Sequence, residues 1–367
     1  MSNSEQEMTM TQETQASEVQ AGLSRRGFVR GALAGLTAYS FPLSAAEKVA
    51  YARANTDWLA RLRYGIGVHW TAQSVPRQGT PSTFQDAVEA FDLKAFVEQV
   101  RYAGADYVLF TATHALQMLP APNSALDRIL PGRTCTRDLI GELSAALAVH
   151  RLPLLVYWNH SCNGKSDPAW REAVGYDGKD KTRFADHLID IVGCMGQRYG
   201  KSVRAWWFDS PYSLDPSGPH NSVTTDMTGF RFPWERMTVA AKAGFAERLV
   251  TYNAGVDETY LYTAHQDYWA GEMNDLKHPA GNRYQSNGLQ WFGWTCLDDR
   301  SWVHAKRDTA IVQPLYGDAE LAAYVRTCRD HQAPMTFNLG IYQDGTMSQS
   351  SLDLLHRLGE TYPRTEH

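Results

Sequence analysis

Several polar side chains of this chain stand at or just past the ends of short apolar runs, where they would be held on stiff backbone. Asp209 is the clearest case. It closes Val203-Arg204-Ala205-Trp206-Trp207-Phe208 and is followed by Ser210-Pro211. Aromatic and β-branched residues stopped by a Ser-Pro turn read as a buried strand. His69, His114, Tyr157, His160, Asn253 and Asp267 occupy comparable positions, with Trp70, Trp158 and Trp207 beside them. A carboxylate in such a place can act as a nucleophile or move a proton. Imidazoles and a phenol can bond hydroxyls, and indoles can lie against the C–H faces of a sugar ring. A lone Asp after a strand reads equally as a helix cap or an ion-pair partner. The group as a whole reads as a polar, aromatic-lined pocket suited to a polyhydroxylated ligand.

The elements that must position these residues alternate. Strand-like runs cover Tyr64–Trp70, Asp106–Ala112, Leu152–Trp158, Val203–Phe208, Arg248–Tyr252, Thr259–Thr263, Leu289–Trp294 and Pro334–Leu339. Helical periodicity covers Asp92–Tyr102, Thr136–His150 with Thr136 as its cap, Thr182–Tyr199, 234–246, Asp318–Gln332 and Ser348–Thr361. Strand then helix, repeated about eight times, predicts an α/β chain folded as a (β/α)8 TIM-like barrel, whose chemistry sits at the strand C-termini. No composition break marks a second domain, so 47–367 is expected to be one catalytic domain. The loop 266–287 is longer than ordinary connections, and loops of that length tend to be functional.

Composition bounds the function. The net charge of -5 over 367 residues and the lack of a basic stripe argue against a nucleic-acid partner. The 11 Trp, 18 Tyr and 13 Phe would serve carbohydrate stacking, though core packing uses the same residues. The five Cys show no CxxC, and the spacing of His69, His114 and Asp209 is not diagnostic of a metal, so no metal or cofactor is expected.

Residues 1–23 are polar and expected to be disordered. Ser24-Arg25-Arg26-Gly27-Phe28, an apolar run to Leu43 and Ser44-Ala45-Ala46 form a basic, apolar and small-residue succession. It reads as a signal segment too short to span a membrane, and its paired arginines resemble a twin-arginine signal. The expectation is a disordered and signal segment over 1–46 and a mature chain from near Glu47, periplasmic or secreted.

The mature chain resembles the catalytic domain of family 29 glycoside hydrolases, the α-L-fucosidases, over roughly residues 62–362. Tyr64-Gly65-Ile66-Gly67-Val68-His69-Trp70 with Ser74-Val75-Pro76 resembles that family's opening motif. Thr111-Ala112-Thr113-His114, Thr136-Arg137-Asp138-Leu139-Ile140-Gly141-Glu142-Leu143, Trp207-Phe208-Asp209-Ser210 and Asn338-Leu339-Gly340 with Asp344-Gly345-Thr346 are similar to later motifs in the same order. The resemblance implies a retaining mechanism on terminal fucosides, with Asp209 as nucleophile. It implies sugar contacts from His69, Trp70, His114 and Tyr157, and the pocket reading adds Trp158, His160 and Trp294 as candidate substrate-binding residues. Asp267-Tyr268-Trp269-Ala270-Gly271-Glu272 resembles the loop that carries the family's acid/base, which makes Glu272 the candidate, expected to swing over the bound sugar. Glu258 and Asp299 are alternatives.

The departures are specific. The family's second His of a pair is Ala115, its Glu before Thr-Cys is Trp294, and the Gly after His-Trp is Thr71. The family's C-terminal β-sandwich is not expected within this sequence. A glycosidase for another sugar, or a barrel that binds carbohydrate without cleaving it, therefore stays open beside the fucosidase reading.

Overall fold

Seven short strands carry the architecture: β1 (Tyr64–Val68), β2 (Val108–Thr113), β3 (Leu154–Asn159), β4 (Val203–Asp209), β5 (Leu249–Tyr252), β6 (Gly293–Cys296) and β7 (Met335–Asn338). They form one parallel sheet in the order β5-β4-β3-β2-β1-β7-β6. These are the strands of a computed structural model, which describes residues 53–298 and 300–364. The expected signal segment, its cleavage site near Glu47 and the alternative acid Asp299 lie outside the described residues. Ala50–His367 forms one compact unit.

The expected strand at Thr259–Thr263 is not formed. Segment 266–273, read from sequence as the start of a long loop, instead reaches both edges of the sheet. Asp267 donates its amide to Val250 of β5. Trp294 of β6 donates to Gly271, and Met273 donates back to Trp294. The signal failed because this stretch is too irregular to alternate, although its backbone bonds do a strand's job. Thr136 is likewise not a cap: the helix spans Leu139–Ala148, and the Asp138 side chain accepts from Gly141 N.

Side chains alternate across each strand, and this sorts the core into two. The outward set, including Val68, Trp70, Phe110, Val156, Trp158 and Trp206, packs under the helices. The inward set, including Leu109, Leu155, Tyr157, Trp207, Phe292 and Trp294, fills the space the sheet curls around. Leu59, from the short helix Asp57–Ala60, joins the inward set from the end where the strands begin. The guanidinium of Arg204, near the start of β4, lies 4.6 Å over the Trp58 ring. The opposite end is left for the polar residues.

Candidate active site

The register of β3 against β4 builds the centre. Tyr157 pairs with Trp207 and Asn159 with Asp209, so all four fall on the inward face at two successive levels. At the upper level Asp209 Oδ2 accepts from the Tyr157 hydroxyl at 2.6 Å and from Asn159 Nδ2 at 2.9 Å. Its Oδ1 accepts from the Ser210 amide at 2.7 Å and from Asn253 Nδ2 at 3.0 Å. Four donors therefore hold the carboxylate in one orientation. Ser210 turns the chain sharply there, with a left-handed φ of +61°.

Glu272 joins this centre from segment 266–273. Its Oε2 accepts from the same Asn253 Nδ2 at 2.6 Å. The nearest oxygens of Asp209 and Glu272 are thus no further apart than two hydrogen bonds laid end to end. Burial, reinforced by the Asp209 charge, pushes the Glu272 carboxyl up to about 7 from 4.5, against the opposing bond from Asn253. Glu272 does not sit on a free loop. Its carbonyl accepts from Asp257 N, and the flanking Gly271 and Met273 are bonded to Trp294, so the expected swing over the sugar is not supported.

Both carboxylates line a cavity of about 130 Å³ with His69, His114, Tyr157, Trp207, Trp294, Ser301 and Trp302. That is the liquid volume of about four waters, on the scale of one small sugar ring. His69 stacks on Trp294 at 4.9 Å and meets His114 edge-on at 5.3 Å. Its Nδ1 lies 2.9 Å from Asn338 Oδ1, and Asn338 Nδ2 is committed to the Trp302 carbonyl. The amide oxygen therefore faces the imidazole, Nδ1 carries the proton, and Nε2 is left as an acceptor. Burial holds His69 down at about 3 and also lowers His114, which favours the neutral form of both imidazoles.

Of the residues expected from sequence, Asp209, Glu272, His69, His114, Tyr157 and Trp294 are brought together at this cavity. Others are not, and each has a physical reason. Trp70 follows His69 and so faces outward; it packs on Phe91 at 5.1 Å and donates to the Gln343 carbonyl. Trp158 follows Tyr157 and faces outward against Phe208. His160 has both ring nitrogens engaged: Nε2 donates to the Ser210 carbonyl at 2.8 Å and Nδ1 accepts from Cys162 N at 3.0 Å. It braces the turn after Asp209 and has no ring nitrogen left for a sugar. Asp267 is not at the rim either; it is buried near the start of β5, holding Val250 N, Ala54 N and Lys242. Glu258 faces His220 at 3.7 Å and does not line the cavity.

Trp302 and Ser301 were not anticipated, because they come from an irregular loop in which Trp302 has a left-handed φ of +63°. Asn159 was legible in principle, since it shares the parity of Tyr157. Among the described residues, no group of three or more His, Cys, Asp or Glu side chains is arranged to hold a metal ion. No described helix is long and apolar enough to cross a membrane.

Solved structures share this fold. An endo-fucoidan hydrolase of glycoside hydrolase family 107 is 16% identical, with a TM-score of 0.62 over 84% of this chain and 63% of that one. The α-L-fucosidase isoenzyme 1 of Paenibacillus thiaminolyticus is 17% identical, with a TM-score of 0.58 over 83% and 74%. An α-L-fucosidase of Lactobacillus casei, solved with its α-L-fucose product, is 14% identical, with a TM-score of 0.57 over 84% and 98%. No curated protein matches by sequence. Residues 81–363 match the family model described as Alpha-L-fucosidase, and with a fold to suit and a pair of carboxylates at its centre, the chain belongs to the α-L-fucosidase family of glycoside hydrolases.

Proposed function

We propose that the protein is a retaining α-L-fucosidase that removes terminal fucose by double displacement, on a (β/α)8-type barrel in which segment 266–273 takes the sixth strand's place. One observation carries this reading: two carboxylates with different environments share a single amide nitrogen at the wall of a one-sugar cavity. Retaining pairs stand roughly 5–5.5 Å apart, whereas inverting pairs need roughly 6.5–9.5 Å to seat a water. Two hydrogen bonds end to end support the former.

In the first step Asp209 attacks the anomeric carbon as Glu272 passes its proton to the glycosidic oxygen, and the bond to the leaving group breaks. In the second, Glu272, now ionised, takes a proton from water. The water oxygen bonds to the anomeric carbon and Asp209 departs. The raised Glu272 suits both roles, because it is protonated for the first step and a competent base for the second. His69 Nε2 accepts from a ring hydroxyl, and the indoles of Trp294 and Trp302 supply apolar wall. The size of the cavity favours a terminal residue over the interior of a chain. The succession from Ser24 to Ala46 supports export by a twin-arginine route, tested by the mature N-terminus of protein recovered outside the cytoplasm.

The experiment is hydrolysis of 4-nitrophenyl α-L-fucoside followed by proton NMR. α-Fucose as the first product supports retention, and β-fucose contradicts it. Asp209→Gly should abolish turnover while circular dichroism stays unchanged. The loss of the family's carboxylate at Trp294 favours a second reading, a related sugar in the same pocket, and a panel of aryl glycosides separates the two.

A further inference from the structure

We propose that Asn253 is the positioning residue of the reaction: it ties the two carboxylates together and selects the oxygen of Glu272 that delivers the proton. The inference rests on the glycosidase reading above and adds a role within it.

The orientation of the amide is fixed by its surroundings. Gly255 N donates to Asn253 Oδ1 at 3.1 Å, so Oδ1 is the acceptor and Nδ2 faces the cavity side. That nitrogen has two protons and two partners, Asp209 Oδ1 at 3.0 Å and Glu272 Oε2 at 2.6 Å. Asn253 is itself buried, just past the end of β5, and its amide donates to Phe208 O of β4. The clamp is therefore mounted on the two strands that frame the nucleophile.

Two consequences follow from the chemistry of an amide. With Oε2 occupied as an acceptor, the proton of neutral Glu272 resides on Oε1, which gives the acid one working oxygen instead of two. An amide also carries no charge. A guanidinium or ammonium between the carboxylates would pull both towards ionisation, and Glu272 would lose the proton it must give. Asn253 tethers them while leaving their repulsion in place. The charged and titratable groups around Glu272 are Asp209 on β4, Asp257 after β5, Tyr212 in the turn after β4, and, across the cavity, Tyr157 and the imidazoles His69 and His114. None of these brings a fixed positive charge, so within the centre it is the Asn253 bond that favours the ionised form of Glu272.

The test is the pH profile of kcat/KM on 4-nitrophenyl α-L-fucoside for the full chain, comparing wild type with Asn253→Ala and Asn253→Ser. Loss of the bond should move the alkaline limb upwards by about one pH unit, the scale of a hydrogen bond to a charged group. kcat should fall at least about tenfold with KM little changed. Asn253→Ser is the fallback should the Ala variant fail to fold. A loss of activity with the limb unmoved would reduce Asn253 to a structural residue and overturn the proposal. A wild type inactive on every aryl glycoside would instead sink the hydrolase reading. The clamp would then be judged by infrared titration of the carboxyl that vanishes in Glu272→Gln: an apparent pKa that rises in Asn253→Ala supports it, and an unchanged value overturns it.

Discussion

The hydroxyl of Tyr157 donates to Asp209 Oδ2 at 2.6 Å, one strand away and one level below. A short bond from a neutral donor to a carboxylate steadies the group without neutralising it. The same ring stacks on Trp207 at 5.3 Å, so orientation and packing come from different parts of one side chain.

Tyr157→Phe separates those parts. The ring and its stacking remain, and Asp209 keeps three donors. kcat/KM should fall by about 10- to 100-fold, in keeping with one charge-assisted bond, while the melting temperature hardly moves. Unchanged kinetics on an aryl fucoside would show that this bond does not bear on the reacting carboxylate.

If Glu272 is the acid, its raised carboxyl is expected to set the alkaline side of the pH profile. The first step needs its proton, so kcat/KM should decline as pH rises through about 7. Glu272→Gln removes the donor. Substrates with poor leaving groups should lose about 10²- to 10⁴-fold, and activated aryl substrates much less. A profile still flat at pH 9 in the wild type would remove Glu272 from the acid's role.

The same group links stability to pH. Its folded value of about 7 exceeds the 4.5 of an ordinary Glu, so the folded state holds the proton more tightly. The stabilisation is fully present below pH 4.5 and is lost as pH rises through 7, an amount of about 3 kcal/mol. Glu272→Gln has no proton to lose. It should match the wild type near pH 4 and surpass it near pH 8 by urea denaturation. Parallel stability curves across that range would contradict the raised value.

Gly67 is the residue below His69 on the inward face of β1. A Cβ there would lie 2.5 Å from Trp294 Nε1 and 3.0 Å from Thr336 Cγ2. Gly67→Ala should push the indole towards the cavity, costing about 1–3 kcal/mol of stability and raising KM for the sugar. Unaltered KM with unaltered melting would mean that the indole gives way freely.

Much of the centre was legible because it is carried by strands. Two-residue alternation places Tyr157 inward, and the same alternation sends Trp158 outward. Applied at β1 it also separates His69 from Trp70. Position at a strand end without that parity admits Trp70 and Trp158, two indoles that belong to the outer core. His160 shares the parity of Trp158, so alternation also sends it away from the inward face, and its ring is spent on the turn after Asp209. The segment bearing Glu272 is visible by resemblance, but its backbone bonds to β6 leave no periodic trace in side-chain polarity. Trp302 left none either, sitting in a loop without pattern.

Gly271 immediately precedes Glu272 with a φ of +62°, and any side chain there would run into the Phe292 carbonyl. The backbone under Glu272 is consequently tied to the edge of the sheet. With the backbone so placed, a different sugar is expected to be accommodated by exchanging side chains of the wall.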